Sequence, residues 1–332
     1  MKVRSVIAER PDSVSVRTDE LPPPGDDEVV VESQLSAISQ GTEKKFLKGL
    51  HTHGSGLFAK SDPIGQKDDF PFHLGYSVVG RISEVGSDRN EHLIGRSVFA
   101  YHPHCSSFLA DPNELVLLPE DGDPQRYVFF ANMETAAGLI MDGRPMIGEE
   151  VMIMGQGVIG LLLTKILSMS GYYKLVTVDK NQYRRKKSVE LGADISLAPE
   201  ELDPDVSGWE GFDLIFELTG NVEALNMASK YCGYSGRLTI GSYYGDVPGE
   251  LKLGDGFHRK RLRIRTSQVS TIDPEYTGRW NRERRLHLVK ILAGRLDTSP
   301  LITHRFDIDD AEEAYSLLLS GEKDHLQILL EY

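Results

Sequence analysis

Met154 to Gly160 reads MGQGVIG and sets Gly155, Gly157 and Gly160 in the spacing GxGxxG. Glycine at the first place permits a tight turn. At the second it lets the backbone approach a pyrophosphate, and at the third it lets a helix pack closely on its strand. Val158 and Ile159 open the apolar helix that follows, whose N-terminal N–H groups and positive dipole end suit phosphate. Asp179 ends the next apolar run, KLVTVDK, at roughly the 20-residue distance where a carboxylate accepts hydrogen bonds from an adenosine ribose. The pattern predicts a dinucleotide site. A carboxylate at 179 repels a 2′-phosphate, so NAD(H) is expected over NADP(H). Lys180, Arg184 and Arg185 lie just beyond it, as a solvated helix face or as charges that soften that repulsion.

Other chemistry-bearing residues are scattered. His51 and His53 form an HxH pair in LHTHGSG, with His73 nearby; they are expected to line a substrate cleft. His102, His104 and Cys105 carry possible metal donors but have no partner cluster in the sequence. Arg259, Lys260, Arg261, Arg263 and Arg265, with Arg279, Arg282, Arg284 and Arg285, concentrate positive charge in an acidic chain. They read as strand-edge and helix-surface charge near a subunit contact, or as a seat for an anionic substrate group. Trp280 among them is expected to cover a flat ligand or a neighbouring subunit.

Elements must hold these groups in place. Up to about Pro119 the chain shows short apolar alternations, SVSVRT, EVVVESQLSAI, SVVGRISEVG, RSVFAY and ELVLLP, which read as strands of a β domain. HTHGSGLFAKSDPIGQKDDFP is a long polar loop among them, of the kind that is usually functional. After Pro119 the rhythm changes to strands alternating with helices, which predicts a parallel sheet covered on both faces. The tail from Leu301 reads as a helix flanked by two strands. With 332 residues, about two domains are expected. A net charge of -13 argues against non-specific binding to nucleic acid or anionic membrane. No apolar run has the roughly 18 residues of a membrane span, and charges interrupt the first residues where a signal core would lie. Two cysteines far apart, Cys105 and Cys232, suit a reduced, cytoplasmic setting.

The order β domain, nucleotide domain, return to the β domain resembles the medium-chain dehydrogenase/reductase superfamily. PPPGDDEVVVES, LGYSVVGRISEVGS, GEEVMIMGQGVIG and LITHRFDIDDAEEAYSLL carry the likeness. SQGTEKKFLKG followed by LGYSVVG is similar to a subgroup that includes bacteriochlorophyllide dehydrogenases. The resemblance implies an α/β fold: a Rossmann doubly wound parallel sheet plus a GroES-like β-barrel catalytic domain. It implies a catalytic domain over 1–125, a nucleotide domain over 126–295 and a return segment over 296–332. A cytoplasmic homodimer acting on a small molecule is expected.

Zinc-dependent members of that superfamily carry a cysteine ligand in a pattern like GICGTD; ISQGTE puts Gln40 there. The histidine of their GHE pattern is matched by Tyr76, and its glutamate by Ser77. Their third ligand falls near Ala131. Zinc needs thiolate, imidazole or carboxylate, so no zinc is expected, and the two cysteines cannot build a four-cysteine structural lobe. Without metal, a side chain must move the alcohol proton. Thr42 matches the relay hydroxyl of the zinc enzymes, Lys45 falls where some relatives place a later relay histidine, and Tyr76 donates if an ammonium lowers its pKa. Each has a plainer reading: Thr42 as a helix cap, Lys45 as a solvated helix residue, Tyr76 as filler. Gln40, placed like the cofactor-holding asparagine of quinone reductases, joins Thr135, Ser242 and Gln268 as expected cofactor contacts. The expected activity is hydride transfer between NAD(H) and a secondary alcohol or ketone. A double-bond reductase of the enoyl or quinone type is the alternative, and a non-catalytic redox sensor the third.

Overall fold

The computed structural model describes residues 1–50, 70–245, 248–254, 256–321 and 324–332. His51, His53 and the polar loop expected around them lie outside the described residues.

The chain divides into two compact units, Met1–Ala131 with His287–Tyr332, and Asn132–Leu286. Both divisions fall inside helices, Phe130–Gly143 and Arg282–Arg295. They lie a few residues from the boundaries at 125 and 295 that the resemblance implies.

In the second unit the strands run Ile195–Leu197, Lys174–Val178, Glu150–Met154, Phe212–Glu217, Cys232–Ile240, Arg263–Thr266, all parallel. In chain order that is 3-2-1-4-5-6, the doubly wound order, which reverses direction beside the first strand. Glu150–Met154 is buried at every position, as a strand covered on both faces must be. Its apolar neighbours Met152, Val176, Ile215 and Leu238 pack with Leu225 and Ala228 of the helix Val222–Tyr231. The edge strand Arg263–Thr266 alternates too little apolar character to stand out from its arginines, and its placement at the sheet edge explains them.

The first unit holds a separate sheet domain. Lys2–Arg10 pairs with Ser13–Glu20 and Phe72–His73, and a longer sheet centres on Val29–Ile38, Val78–Val85 and Gln327–Glu331. The last of these comes from the C-terminal tail and pairs antiparallel with Val29–Ile38, so the tail completes this unit. The short helix Thr42–Leu47 buries Glu43, Phe46 and Leu47. These positions face a core shared with Ile38, Leu74, Ile308, Ala311, Ala314, Tyr315 and Leu318. Lys44 Nζ ties the helix to the carbonyl of Leu318 at 2.9 Å. ELVLLP, read as a full strand, forms only the pair Val116–Leu117.

Candidate cofactor site and candidate proton-transfer site

The glycine turn sits at the C-terminal end of Glu150–Met154, where the sheet reverses. Gly155 has φ +96, a region that favours glycine, and a Cβ there would lie 2.8 Å from the carbonyl of Leu218. A Cβ on Gly160 would lie 2.0 Å from the Gly155 oxygen. Around Gly157, by contrast, a Cβ would meet only Arg184 Nη1, at 4.0 Å. Two glycines are thus required by packing, and the middle one leaves an open cradle. Gly157 also caps the helix Val158–Leu167 without a side chain. N–H groups in the first turn of a helix lack intrahelical acceptors. The residues present therefore fit a dinucleotide pyrophosphate.

Asp179 is braced against this turn. Its Oδ2 accepts from the Gln156 N–H and its Oδ1 from the Asn181 N–H, both at 2.7 Å. Each oxygen keeps another lone pair, so the carboxylate is oriented yet still able to accept from a ribose. Lys180 is exposed. Arg185 is occupied by the carbonyls of Asp179 and Lys180, at 2.9 and 3.1 Å. Of the basic residues expected to soften the repulsion, Arg184 is the one that reaches the glycine turn.

Ser242 and Gln268 follow the ends of Cys232–Ile240 and Arg263–Thr266, on the same C-terminal edge as the turn. Ser242 Oγ accepts from Gly220 N at 2.8 Å, and the Gln268 side chain accepts from Ser270 N at 2.9 Å. Thr135 is half-buried on Phe130–Gly143. One turn-end acid was missed by sequence reasoning. Glu217, fully buried, accepts from Thr219 and from the Tyr244 hydroxyl, the latter at 2.6 Å. Burial and that carboxylate push the Tyr244 phenol above its usual range.

Arg285, read from sequence as helix-surface charge, is instead 2% exposed. Its guanidinium pairs with buried Glu134 at 2.6 Å and donates to the carbonyls of Thr271 and Val269. The pair anchors the segment after Gln268. Trp280 lies elsewhere in this unit, under the Arg284 guanidinium at 4.2 Å from its ring centre. It lines a cleft of about 440 Å³ with Ile140, Met146, Ile147, Tyr172 and Tyr276. Met146, Ile147 and Tyr172 precede Glu150–Met154 and Lys174–Val178, so the cleft is at the sheet edge opposite the glycine turn.

In the first unit the structure brings AISQGTEKKF and LGYS together. Ala37 N donates to Ser77 O at 3.0 Å, and Tyr76 Oη donates to Ser39 Oγ at 2.7 Å. Gln40, Thr42 and Lys45 follow Ser39 within the turn and the first turn and a half of Thr42–Leu47. The helix starts at Thr42 with Gly41 as its cap and no side-chain cap bond, which removes the capping reading of Thr42. His73 is exposed on Phe72–His73.

Behind Ser39 lies a buried polar network that sequence reasoning missed. Glu43, 1% exposed, accepts from Ser39 N at 2.7 Å, from the Tyr315 hydroxyl, and from His104 Nε2 at 3.3 Å. His104 Nδ1 meets Ser36 Oγ at 2.7 Å, and Ser36 meets the Tyr332 hydroxyl at 2.7 Å. Burial alone would raise the Glu43 carboxyl. The His104 ring, the Tyr315 hydroxyl and the Ser39 amide together hold it below the usual carboxylate range. Burial and Glu43 push the Tyr315 phenol well above its ordinary value. The available signal was an acid at a buried position of a helix pattern, Glu43 with Phe46 and Leu47. His102 is not part of it: it stacks on Phe108, and burial lowers its ring to about 4. Among the described residues, no group of three or more His, Cys, Asp or Glu could hold a metal ion.

A doubly wound sheet with a dinucleotide-type turn, in one chain with a separate sheet domain, defines a two-unit α/β protein. Residues 158–282 match the family described as zinc-binding dehydrogenase. D-guloside 3-dehydrogenase of Escherichia coli (strain K12) is 27% identical over 222 residues. That alignment covers 64% of this chain and 63% of the relative's length. L-threonine 3-dehydrogenase of Burkholderia cenocepacia (strain HI2424) is 27% identical over 293 residues, 76% of this chain and 80% of that protein. The crystal structure of a short chain alcohol dehydrogenase from E. coli CFT073 complexed with NADH has the same fold. Its TM-score is 0.80 at 19% identity, covering 100% of this chain and 99% of that one. Over these stretches the chain is similar in sequence to zinc-binding-type dehydrogenases, and it shares the fold of that alcohol dehydrogenase structure. The family match lies within the nucleotide unit, so it does not reach residues 40, 76 and 131, where the zinc question is decided.

Proposed function

We propose that the protein is an NAD(H)-dependent oxidoreductase that interconverts a secondary alcohol, of the polyol or hydroxy-acid-like kind, and its ketone without zinc. The observation that carries the reading is the glycine turn braced by Asp179 at the reversal point of the sheet. The two curated relatives, both named as 3-dehydrogenases, support a CH–OH substrate.

The nicotinamide, when bound, accepts or returns the hydride. Gly155, Gly157, Gly160 and the N–H groups opening Val158–Leu167 hold the pyrophosphate, with Val158 and Ile159 at the helix start. Asp179 takes the ribose hydroxyls and disfavours a 2′-phosphate. Gln40, Tyr76 and Ala131 offer none of the three donors that zinc requires, so the proton of the alcohol is handled by side chains. Tyr76, held by Ser39, is the donor, with Lys45 as the ammonium that tunes it and Thr42 as the neighbouring hydroxyl. A panel of secondary alcohols and polyols set against enones and quinones, each with NAD(H) and NADP(H), tests this. Faster turnover of alcohols with NAD is the expected result; reduction of enones with NADPH alone would contradict it.

A further inference from the structure

We infer that Glu43 and His104 are positioning residues for proton transfer, a buried pair that fixes Tyr76 from two sides. The inference rests on the reading of Tyr76 as proton donor. On one side, the Glu43 carboxylate holds the Ser39 N–H at 2.7 Å, and the hydroxyl of the same serine accepts the Tyr76 phenol proton at 2.7 Å. The carboxylate thus sets the backbone whose side chain sets the phenol. On the other side is Gly75, the residue before Tyr76. Its φ is +93, and a Cβ there would lie 2.4 Å from His104 Cδ2. The imidazole therefore packs face-close against the chain that presents Tyr76.

The two clamps are one object, because His104 Nε2 and Glu43 Oε2 meet at 3.3 Å with side chains 0% and 1% exposed. Neither group reaches solvent, and neither is placed to touch a substrate except through Ser39 and Gly75. The back of the pair is closed as well. Tyr315 donates to Glu43, and Ser36 and Tyr332 continue from His104 Nδ1. Tyr315 comes from Ala311–Ser320 and Tyr332 from the chain's end, so the C-terminal segment completes the clamp. A buried acid–base pair that bonds the residue accepting the phenol proton and packs against the residue before that phenol is a device for holding the phenol still. Small displacements of a reacting group are expensive, of the order of 10²-fold in rate for about 1 Å.

The test is a double-mutant cycle on turnover of the fastest-oxidised member of the alcohol panel with NAD, with NADH affinity measured in parallel. Glu43→Leu, which keeps volume and removes the acceptor of Ser39 N–H, should lower turnover about 10²-fold. NADH affinity should stay within twofold or so. Combined with Tyr76→Phe, it should add nothing to the loss that Tyr76→Phe causes alone, because both act on one group. A purely structural role would give additive losses, and additive losses overturn the inference. Wild-type turnover in Glu43→Leu overturns it too, leaving the proton-donor reading intact. Wild-type turnover in Tyr76→Phe removes that reading and this inference together. If Glu43→Leu does not fold, Ser39→Ala, which deletes the link itself, carries the same cycle with the same outcomes. Amide hydrogen exchange needs no substrate. Exchange at Ser39 and Tyr76 should quicken in Glu43→Leu while Val29–Ile38 stays protected, and unchanged exchange at both would contradict the clamp.

Discussion

The phenol of Tyr76 donates its proton to Ser39 Oγ at 2.7 Å, and we propose that it, not a metal, serves the substrate oxygen. If it donates to the substrate oxygen with Lys45 behind it, Tyr76→Phe and Lys45→Met should each lower turnover by about 10²–10⁴-fold. Cofactor affinity should survive, since the glycine turn belongs to the other unit; NADH titration checks that. Asp179 makes a second residue-scale prediction. Because it braces the turn and keeps lone pairs for a ribose, Asp179→Ala should weaken NADH binding and narrow the preference over NADPH. Arg184→Ala should reduce whatever NADPH affinity remains, since Arg184 is the basic side chain that reaches the turn. Direct titrations of both cofactors read both variants, and a wild type that prefers NADPH contradicts the assignment. The glycine turn and Asp179 were legible in the sequence because strand, turn and helix are consecutive. The Glu43 network was not. Its members lie 61 and 272 residues from Glu43, and no periodicity joins groups brought together by packing.

At the scale of elements, glycines carry the sharpest constraint. Gly160→Ala drives a Cβ to 2.0 Å from a backbone oxygen, so the helix Val158–Leu167 must move off its strand. A cost of about 1–3 kcal/mol is expected from such overpacking. Thermal unfolding should show it, together with lost NADH affinity; retention of both would contradict the close approach. The buried Arg285–Glu134 pair makes a contrasting case. Arg285→Met leaves an uncompensated buried carboxylate and should destabilise by about 3–5 kcal/mol, whereas the double change with Glu134→Met should cost much less. Denaturant unfolding of both variants decides it. Sequence reasoning placed Arg285 on a helix surface because an arginine within RERRLHLVKILAGR looks like its exposed neighbours. Its burial follows from Glu134, 151 residues away. The strands of the parallel sheet were readable from apolar runs and turn residues, and the arginine-rich edge strand was readable only as charge.

For the whole molecule, one unit carries the glycine turn with Asp179 and the other carries Tyr76 and the Glu43 network. The C-terminal segment contributes both Gln327–Glu331 to the sheet and Tyr315 to the Glu43 network, so this tail supports stability and site alike. The pH dependence of stability follows from Glu43. Its folded-state pKa is depressed, so its contribution is present above the ordinary carboxylate pKa and is lost as pH falls through the depressed folded value. The melting temperature should drop on acidification in that window, and Glu43→Gln should flatten the drop. An equal drop in the variant would assign acid sensitivity to other carboxylates. Cys105 and Cys232 are both buried and free, and burial raises both thiols to about 12, so neither is poised as a nucleophile.

The proposed activity is alcohol oxidation with NAD and no zinc. It is tested most directly by measuring NAD-linked turnover of the best secondary alcohol before and after exhaustive chelation, with metal content determined by elemental analysis on the same samples. Well under one zinc per chain and an unchanged rate are expected. Stoichiometric zinc, with activity lost on its removal and restored on its return, would contradict it.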